Sequence, residues 1–398
     1  MTSIRSAPSF FGQEAGQIPF LRQLTHTSSR QYQLLTRRHR PHKMSHNIDT
    51  CFGEGAGMVC VRIMRRFFNS DSFWNQPIGD RPAIDPESES LLRFMSSKDD
   101  RGFWINLHKW TIPIYEVDRR TARRKVHQRL RVKTNRIIAR SEPYLHPNHP
   151  FGHCPDFAAD ARNGLVPIPD HALSDPESDH HISLVDWDSG WAWDMWSATR
   201  RPDGDWDTNS GMKYRIDGSG VFDRDAFHVH NGESIHPYGP CRAAGVPALA
   251  GTIMHQEILE GRIEHKLAFA TQAAGLQRFV SPPAAWTDGG WRSGIPEGAV
   301  VQLDPSINLD SFNLSPAARV VARALQEYGA ACVDVSGGHC LYGEGLYANP
   351  QRRTWRGLLD GNDLIQLKLS NYRVLEMNNV IHEGQGPRVP DGVYAGNE

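Results

Sequence analysis

The run from Asp179 to Trp196 (Asp-His-His-Ile-Ser-Leu-Val-Asp-Trp-Asp-Ser-Gly-Trp-Ala-Trp-Asp-Met-Trp) restricts the fold more than any other stretch of the chain. Two alternating segments flank Asp-Ser-Gly, which is the pattern of a β-hairpin. A turn centred on Asp188 and Ser189 sets Ser183 opposite Asp194 and Val185 opposite Ala192. Successive side chains on a strand point to opposite faces, so the hairpin divides into two sides. Ile182, Leu184, Trp191, Trp193 and Met195 fall on one side, which reads as core. His181, Ser183, Asp194 and Trp196 fall on the other, too apolar for plain surface and too polar for core. An imidazole, a carboxylate and an indole on an open sheet face suit a groove that stacks and processes sugar.

With 398 residues, 39% of them hydrophobic, the chain is long enough to bury a large core. Glycine and proline are abundant and helical patterns few, which favours short strands joined by irregular loops. The expected fold is mainly β: a jelly-roll-like β-sandwich with a few peripheral helices. A formal charge of −1 argues against a polyelectrolyte binder, and no apolar run is long enough to cross a bilayer. Nucleic acid and a membrane span are therefore not expected. GxGxxG, P-loop, GxSxG and HExxH patterns are missing, which removes the common nucleotide, hydrolase-elbow and zincin readings.

Residues 1–66 are rich in Arg, Ser, Gln and His and lack periodicity, so they are expected to be a disordered or mis-annotated extension. No apolar stretch follows Met1 or Met44, so no secretory signal is read there. Residues 67–378 are expected to form one domain and residues 379–398 a tail. Within the domain, Asp85-Pro86-Glu87 opens a helix through Met95, and residues 103–117 read as a strand whose Pro113 argues for a sheet edge. A short helix lies in Gly251–Gly261, followed by a strand from Arg262 to Ala270. Ser315-Pro316 caps a helix that stops at Gly329; a strand pair follows around 330–342, a short helix near 362–367 and a closing strand at 372–377.

Chemistry-bearing residues each carry an alternative. His181 and Asp194 are diagonal neighbours across the hairpin, within reach of a hydrogen bond, and form either an acid–base pair or a structural contact. Ser183 and Trp196 share their face as substrate-binding candidates. His265 points inward with Leu267 and Phe269, as a catalytic or a core histidine. His228, His230 and His236, with Glu233, resemble a metal cluster, but the loop-like segment reads better as polar surface, so no metal or other cofactor is expected. Arg129 and Arg131, on a basic face with His127 and Lys133, suit forked contacts to a carboxylated sugar; a solvated strand face is the plainer reading. Cys332 and Cys340 bracket a turn, where a disulfide and two buried thiols are both open.

Val166-Pro167-Ile168-Pro169, the strand from Asp179 to Asp186, Ala244 to Gly251, Gly261 to Phe269 and Leu303 to Gly329 resemble a widespread family of mostly secreted bacterial β-rich proteins without an established activity. The resemblance spans residues 70–377 and implies an extracellular or cell-envelope location. The chain departs from it at its amino end and in the His-rich insertion at 223–241.

The functional expectation is a carbohydrate-active enzyme that cleaves a polysaccharide, one containing uronate if the basic face binds it. A lyase is slightly favoured over a hydrolase: Arg129 or Arg131 would neutralise the carboxylate, His181 or His265 would abstract a proton, and Tyr342 would protonate the leaving oxygen. For a hydrolase Asp194 lacks an evident second acid. The alternative is a non-catalytic glycan-binding or envelope protein using the same face. Convergence of His181, Asp194 and His265 in a cleft would favour the enzyme.

Overall fold

The structure, a computed structural model, describes residues 47–52, 59–128, 154–222, 229–230, 233–234 and 242–382. Strand outweighs helix, 29% against 17%, so the fold is mainly β. The hairpin forms in the expected register: Ile182–Asp186 pairs with Trp191–Trp196, setting Ser183 against Asp194 and Val185 against Ala192. Its turn is held by Asp186, whose Oδ1 accepts the N–H groups of Asp188 and Ser189 at 3.0 and 3.1 Å. Gly190 leaves the turn at φ +72°, a conformation that glycine adopts without strain.

This hairpin is the centre of a five-stranded sheet ordered Ser210–Arg215, Trp191–Trp196, Ile182–Asp186, Ile112–Glu116 and Glu344–Gly345. A six-stranded sheet runs Tyr372–Val374, Val300–Leu303, Ala330–Val335, Leu267–Thr271, Cys340–Tyr342 and Trp104–Asn106. The two share one core, in which Val185, Ala192 and Met212 of the first meet Ala268, Ala270 and Val333 of the second. The small alanines leave room for the 242–254 segment, which adds Val246, Ala248 and Leu249 to the same core. The outer faces are covered by helices. Pro316–Glu327 and Ser88–Lys98 pack on Leu267, Phe269 and Val301, while Pro155–Asn163 contributes Phe157 to the cluster of Ile182, Leu184, Trp193 and Met195. Pro316–Glu327 begins as read, with Ser315 Oγ accepting the Ala318 N–H at 3.1 Å, and gives way to Gly329 at φ +74°.

Several details correct the sequence reading. Both sheets mix parallel with antiparallel pairs, whereas a jelly roll's two Greek keys are antiparallel throughout. Residues 103–117 form two strands, Trp104–Asn106 and Ile112–Glu116, in different sheets, and Pro113 lies beside Gly345 rather than on an edge. The Ser88–Lys98 helix starts late because Asp85 instead closes a turn, accepting the Glu87 N–H. The strand after Gly261 begins only at Leu267, and 362–367 is turn. Strand pairs also extend past both expected domain limits, in Asn47–Phe52 with Val59–Met64 and in Val380–Ile381 with Phe279–Val280.

The strands carrying Cys332 and Cys340 do not pair with each other; both flank Leu267–Thr271, with Cys332 opposite Phe269 and Cys340 opposite Ala270. Two strand spacings, about 10 Å, exceed the reach of a disulfide. Both thiols are free.

Trp193 is 4% exposed and its indole N–H donates to Asp160 at 2.8 Å. Trp193→Ala is expected to cost about 3–5 kcal/mol in a denaturant titration, and Trp196→Ala, whose indole is only half-buried, clearly less. Equal losses would show that the different burial of the two indoles does not set their contributions.

Candidate functional site

The second face of the hairpin is not an open groove. Ser183 and Asp194 are fully buried and His181 is 3% exposed, because the 242–254 segment lies over them. Ser183 Oγ donates to Asp194 Oδ1 at 2.6 Å and the Ala248 N–H to Oδ2 at 2.7 Å, with the Tyr214 hydroxyl facing the same carboxylate. Burial pushes the Asp194 carboxyl up to about 6 despite these donors. The expected bond between His181 and Asp194 is not made. His181 Nε2 instead lies 4.0 Å from Asp179, and its Nδ1 has no hydrogen-bond partner among the described residues. Burial, then the charge of Arg242, lowers its pKa to about 3, so the ring is neutral. Trp196 is half-buried against the inter-sheet core.

His265 lies elsewhere. With Glu257 and Trp74 it lines a small cavity of about 40 Å³, where Nε2 is 3.1 Å from Glu257 Oε1 and Nδ1 donates to the Lys266 carbonyl at 2.8 Å. Burial alone would lower its pKa, but the charge and hydrogen bond of Glu257 outweigh it and raise the value. His181, Asp194 and His265 therefore do not converge, and the acid–base reading of that face falls. Arg129, Arg131, His228 and His236 lie outside the described residues; His230 and Glu233 sit opposite each other on two short paired strands.

The side chains that do converge line a cleft of about 610 Å³ beside the six-stranded sheet. One wall is the link from Trp104 to Trp110, where the chain crosses from one sheet to the other. Trp104 packs against Gly338, where a Cβ would come within 2.1 Å of the indole. Trp110 is 43% exposed at the mouth and held at φ +49°, a strained conformation for a bulky residue.

Asp179 reaches the cleft from the open end of the hairpin, its carbonyl accepting the Ser197 N–H at 2.7 Å. Asp334 enters through a bulge. Phe269 pairs with Cys332 but Ala270 with Asp334, leaving Val333 as the extra residue. Strict alternation would place Asp334 on the face of Cys332, against the helices; the bulge turns it to the face of Ala270, toward the cleft. Tyr342, from the strand on the other side of Leu267–Thr271, completes the floor, with the Arg242 guanidinium stacked on its ring at 3.6 Å.

These groups set each other's protonation. Burial, the charge of Asp288 and then that of Asp179 hold the Asp334 carboxyl well above the usual carboxylate range, and Arg242 opposes them only in part. Glu297, fully buried, is raised in the same way by burial and by Asp288 and Asp334. The Tyr342 hydroxyl is raised by burial and by the charge of Asp334, so it keeps its proton. The cleft thus pairs a carboxyl whose pKa is raised, Asp334, with a more exposed one, Asp179.

Of the catalytic and binding candidates among the described residues, Tyr342 alone lines this cleft. Asp179 and Asp334 were missed. The available signal was an acid inside the apolar strand Ala-Ala-Cys-Val-Asp-Val, since a carboxyl in an apolar run needs a reason. Among the described residues no His, Cys, Asp or Glu group is arranged to hold a metal ion, and no helix is long and apolar enough to cross a membrane. No protein-family model, curated protein or solved structure matches the chain.

Asp194 yields a pH prediction. Its folded pKa lies above the unfolded value, so the folded state binds the extra proton and stability falls as pH rises from about 4 to about 6, by about 3 kcal/mol. Asp194→Asn should remove that slope in urea titrations across the interval, and Asp194→Ala should destabilise at every pH by leaving the Ala248 N–H unpaired. An unchanged slope in Asp194→Asn would assign it to other carboxyls.

Proposed function

We propose that this chain is a carbohydrate-active enzyme that hydrolyses a polysaccharide in the Trp104–Trp110 cleft, outside the cell or in its envelope. The observation that carries the reading is the pair Asp179 and Asp334 facing one aromatic-edged cleft, one carboxyl raised above the ordinary range and the other exposed. Glycoside hydrolysis needs this division of labour between two carboxyls. Asp334 is the acid that protonates the glycosidic oxygen as the bond breaks, and Asp179 is the carboxylate that activates water or attacks the anomeric carbon. Trp104 and Trp110 offer apolar faces for sugar rings. Arg242, stacked on Tyr342, fixes that ring and balances part of the buried negative charge.

Elimination on a uronate is the second reading, favoured by Tyr342 in the cleft as proton donor, with Asp179 as the base that takes the proton. A polysaccharide panel separates the two: hydrolysis releases reducing ends alone, elimination adds the absorbance of unsaturated uronates, and a non-catalytic glycan binder gives neither.

Asp334→Asn and Asp179→Asn should each lower turnover by at least about a hundredfold while circular dichroism stays unchanged. Activity of the parent should fall as pH rises through the raised pKa of Asp334, so its alkaline limb should lie above the ordinary carboxylate range. Full activity in both folded variants would sink the enzymatic reading of this cleft.

A further inference from the structure

Both ring nitrogens of His265 face groups that accept hydrogen bonds. Nδ1 lies 2.8 Å from the Lys266 carbonyl, which has no proton to give, so Nδ1 carries the hydrogen. Nε2 faces the Glu257 carboxylate, 3.1 Å from Oε1 and 3.3 Å from Oε2. With Nδ1 committed to the carbonyl, the proton that the ring can lose is the one on Nε2. Its loss to solvent turns a charge-assisted hydrogen bond into a lone pair set against a carboxylate. Glu257 belongs to the short helix His255–Glu260, where its Oε2 also accepts the Met254 N–H at 3.0 Å and caps the first turn. His265 stands just before the strand Leu267–Thr271, so the pair ties that helix to the six-stranded sheet.

Among the described residues lining the small cavity beside the pair, the charged groups are Arg65 and Arg66 from the segment before Phe67, Glu257 and Glu260 from the helix, and Glu264 from the loop of His265 itself. Arg66 is paired with Glu264, and its charge opposes a second positive charge on His265. The Lys266 ammonium donates to the Gln76 carbonyl, 5.0 Å from the centre of the Phe73 ring. Burial and Arg66 both disfavour the imidazolium, and the charge and hydrogen bond of Glu257 outweigh them.

We propose that His265 and Glu257 form a pH-sensitive latch, which closes the helix His255–Glu260 against the sheet while both ring nitrogens are protonated and releases it when Nε2 gives up its proton. The latch stands on its own contacts and does not rest on the carbohydrate reading. Its position connects it to the cleft all the same. The Ile253 N–H donates to the Tyr342 carbonyl at 2.9 Å, and the His255 N–H to Glu344 Oε2 at 3.0 Å, so the entry to the helix backs the strand that carries Tyr342. The direction of the switch follows from linkage. The folded pKa of His265 is raised above 6.5, so its contribution is complete below that value and fades as pH rises through the folded pKa.

Deuterium exchange of the full chain between about pH 6 and about pH 9, read by mass spectrometry, tests the latch. After correction for the intrinsic pH dependence of amide exchange, protection over 253–262 should fall at least about tenfold, the factor supplied by one unit of pKa difference between closed and open states. The same peptide should exchange faster than 330–335 at every pH, as local opening requires. Slow exchange at the ring C2–H should place the His265 midpoint above 6.5 in the parent, and Glu257→Gln should lower it. His265→Gln should show the reduced protection already at the acidic end, with no further change on raising the pH. A His265 midpoint at or below 6.5, protection that does not change with pH, or exchange over 253–262 no faster than over 330–335 would overturn the latch. Both readouts are taken on the parent chain, so a variant that fails to fold does not remove the test.

Discussion

One buried carboxylate, Asp194, ties the hairpin to the segment that lies between the two sheets. Asp194 sits on the hairpin, yet its oxygens take the Ser183 hydroxyl from the neighbouring strand and the Ala248 N–H from the segment between the sheets. That second bond docks residues 242–254 on the hairpin and so sets where Arg242 lies. Arg242 in turn stacks on Tyr342 of the other sheet and counters the charge of Asp334. Loss of the Asp194 contact would leave buried donors unpaired on both sides of the inter-sheet layer, each costing about 1–3 kcal/mol. The residue that sequence pattern marks for chemistry is instead the anchor of the frame that positions the chemistry.

The hairpin was legible because its signals are local. Alternation and turn residues fix its register, and the pairing of Ser183 with Asp194 follows from counting. The helix from Pro316 to Glu327 was legible for the same reason, with its start set by Ser315 and its end by Gly329. What the pattern leaves open is what covers each face. Polar residues at alternate positions look the same whether they meet water or a buried segment that brings its own donors. Here Ala248, more than fifty residues away, supplies the donor and turns an expected groove into an interior layer.

The cleft was illegible for two physical reasons. Its wall depends on residues 103–117 changing sheets between Asn106 and Ile112, which a run of apolar and aromatic residues does not reveal. Its acid depends on the bulge at Val333, a single unpaired residue that moves Asp334 from one face to the other. Cys332 and Cys340 misled in a related way: a turn between two strands suggests a hairpin, but Leu267–Thr271 is inserted between them. Non-local pairing decides all three cases.

The protonation of the cleft follows from its charge balance. Asp288, Glu297 and Asp334 are in mutual electrostatic contact, with Arg242 as the cation acting on Asp334. One guanidinium opposes only part of this, so burial and the charge of Asp288 raise the carboxyls of Glu297 and Asp334. Asp179, in contrast, meets solvent, its side chain 41% exposed. This ordering, a raised acid beside the sheet and an exposed acid facing solvent, comes from burial rather than from any special pairing of the two residues.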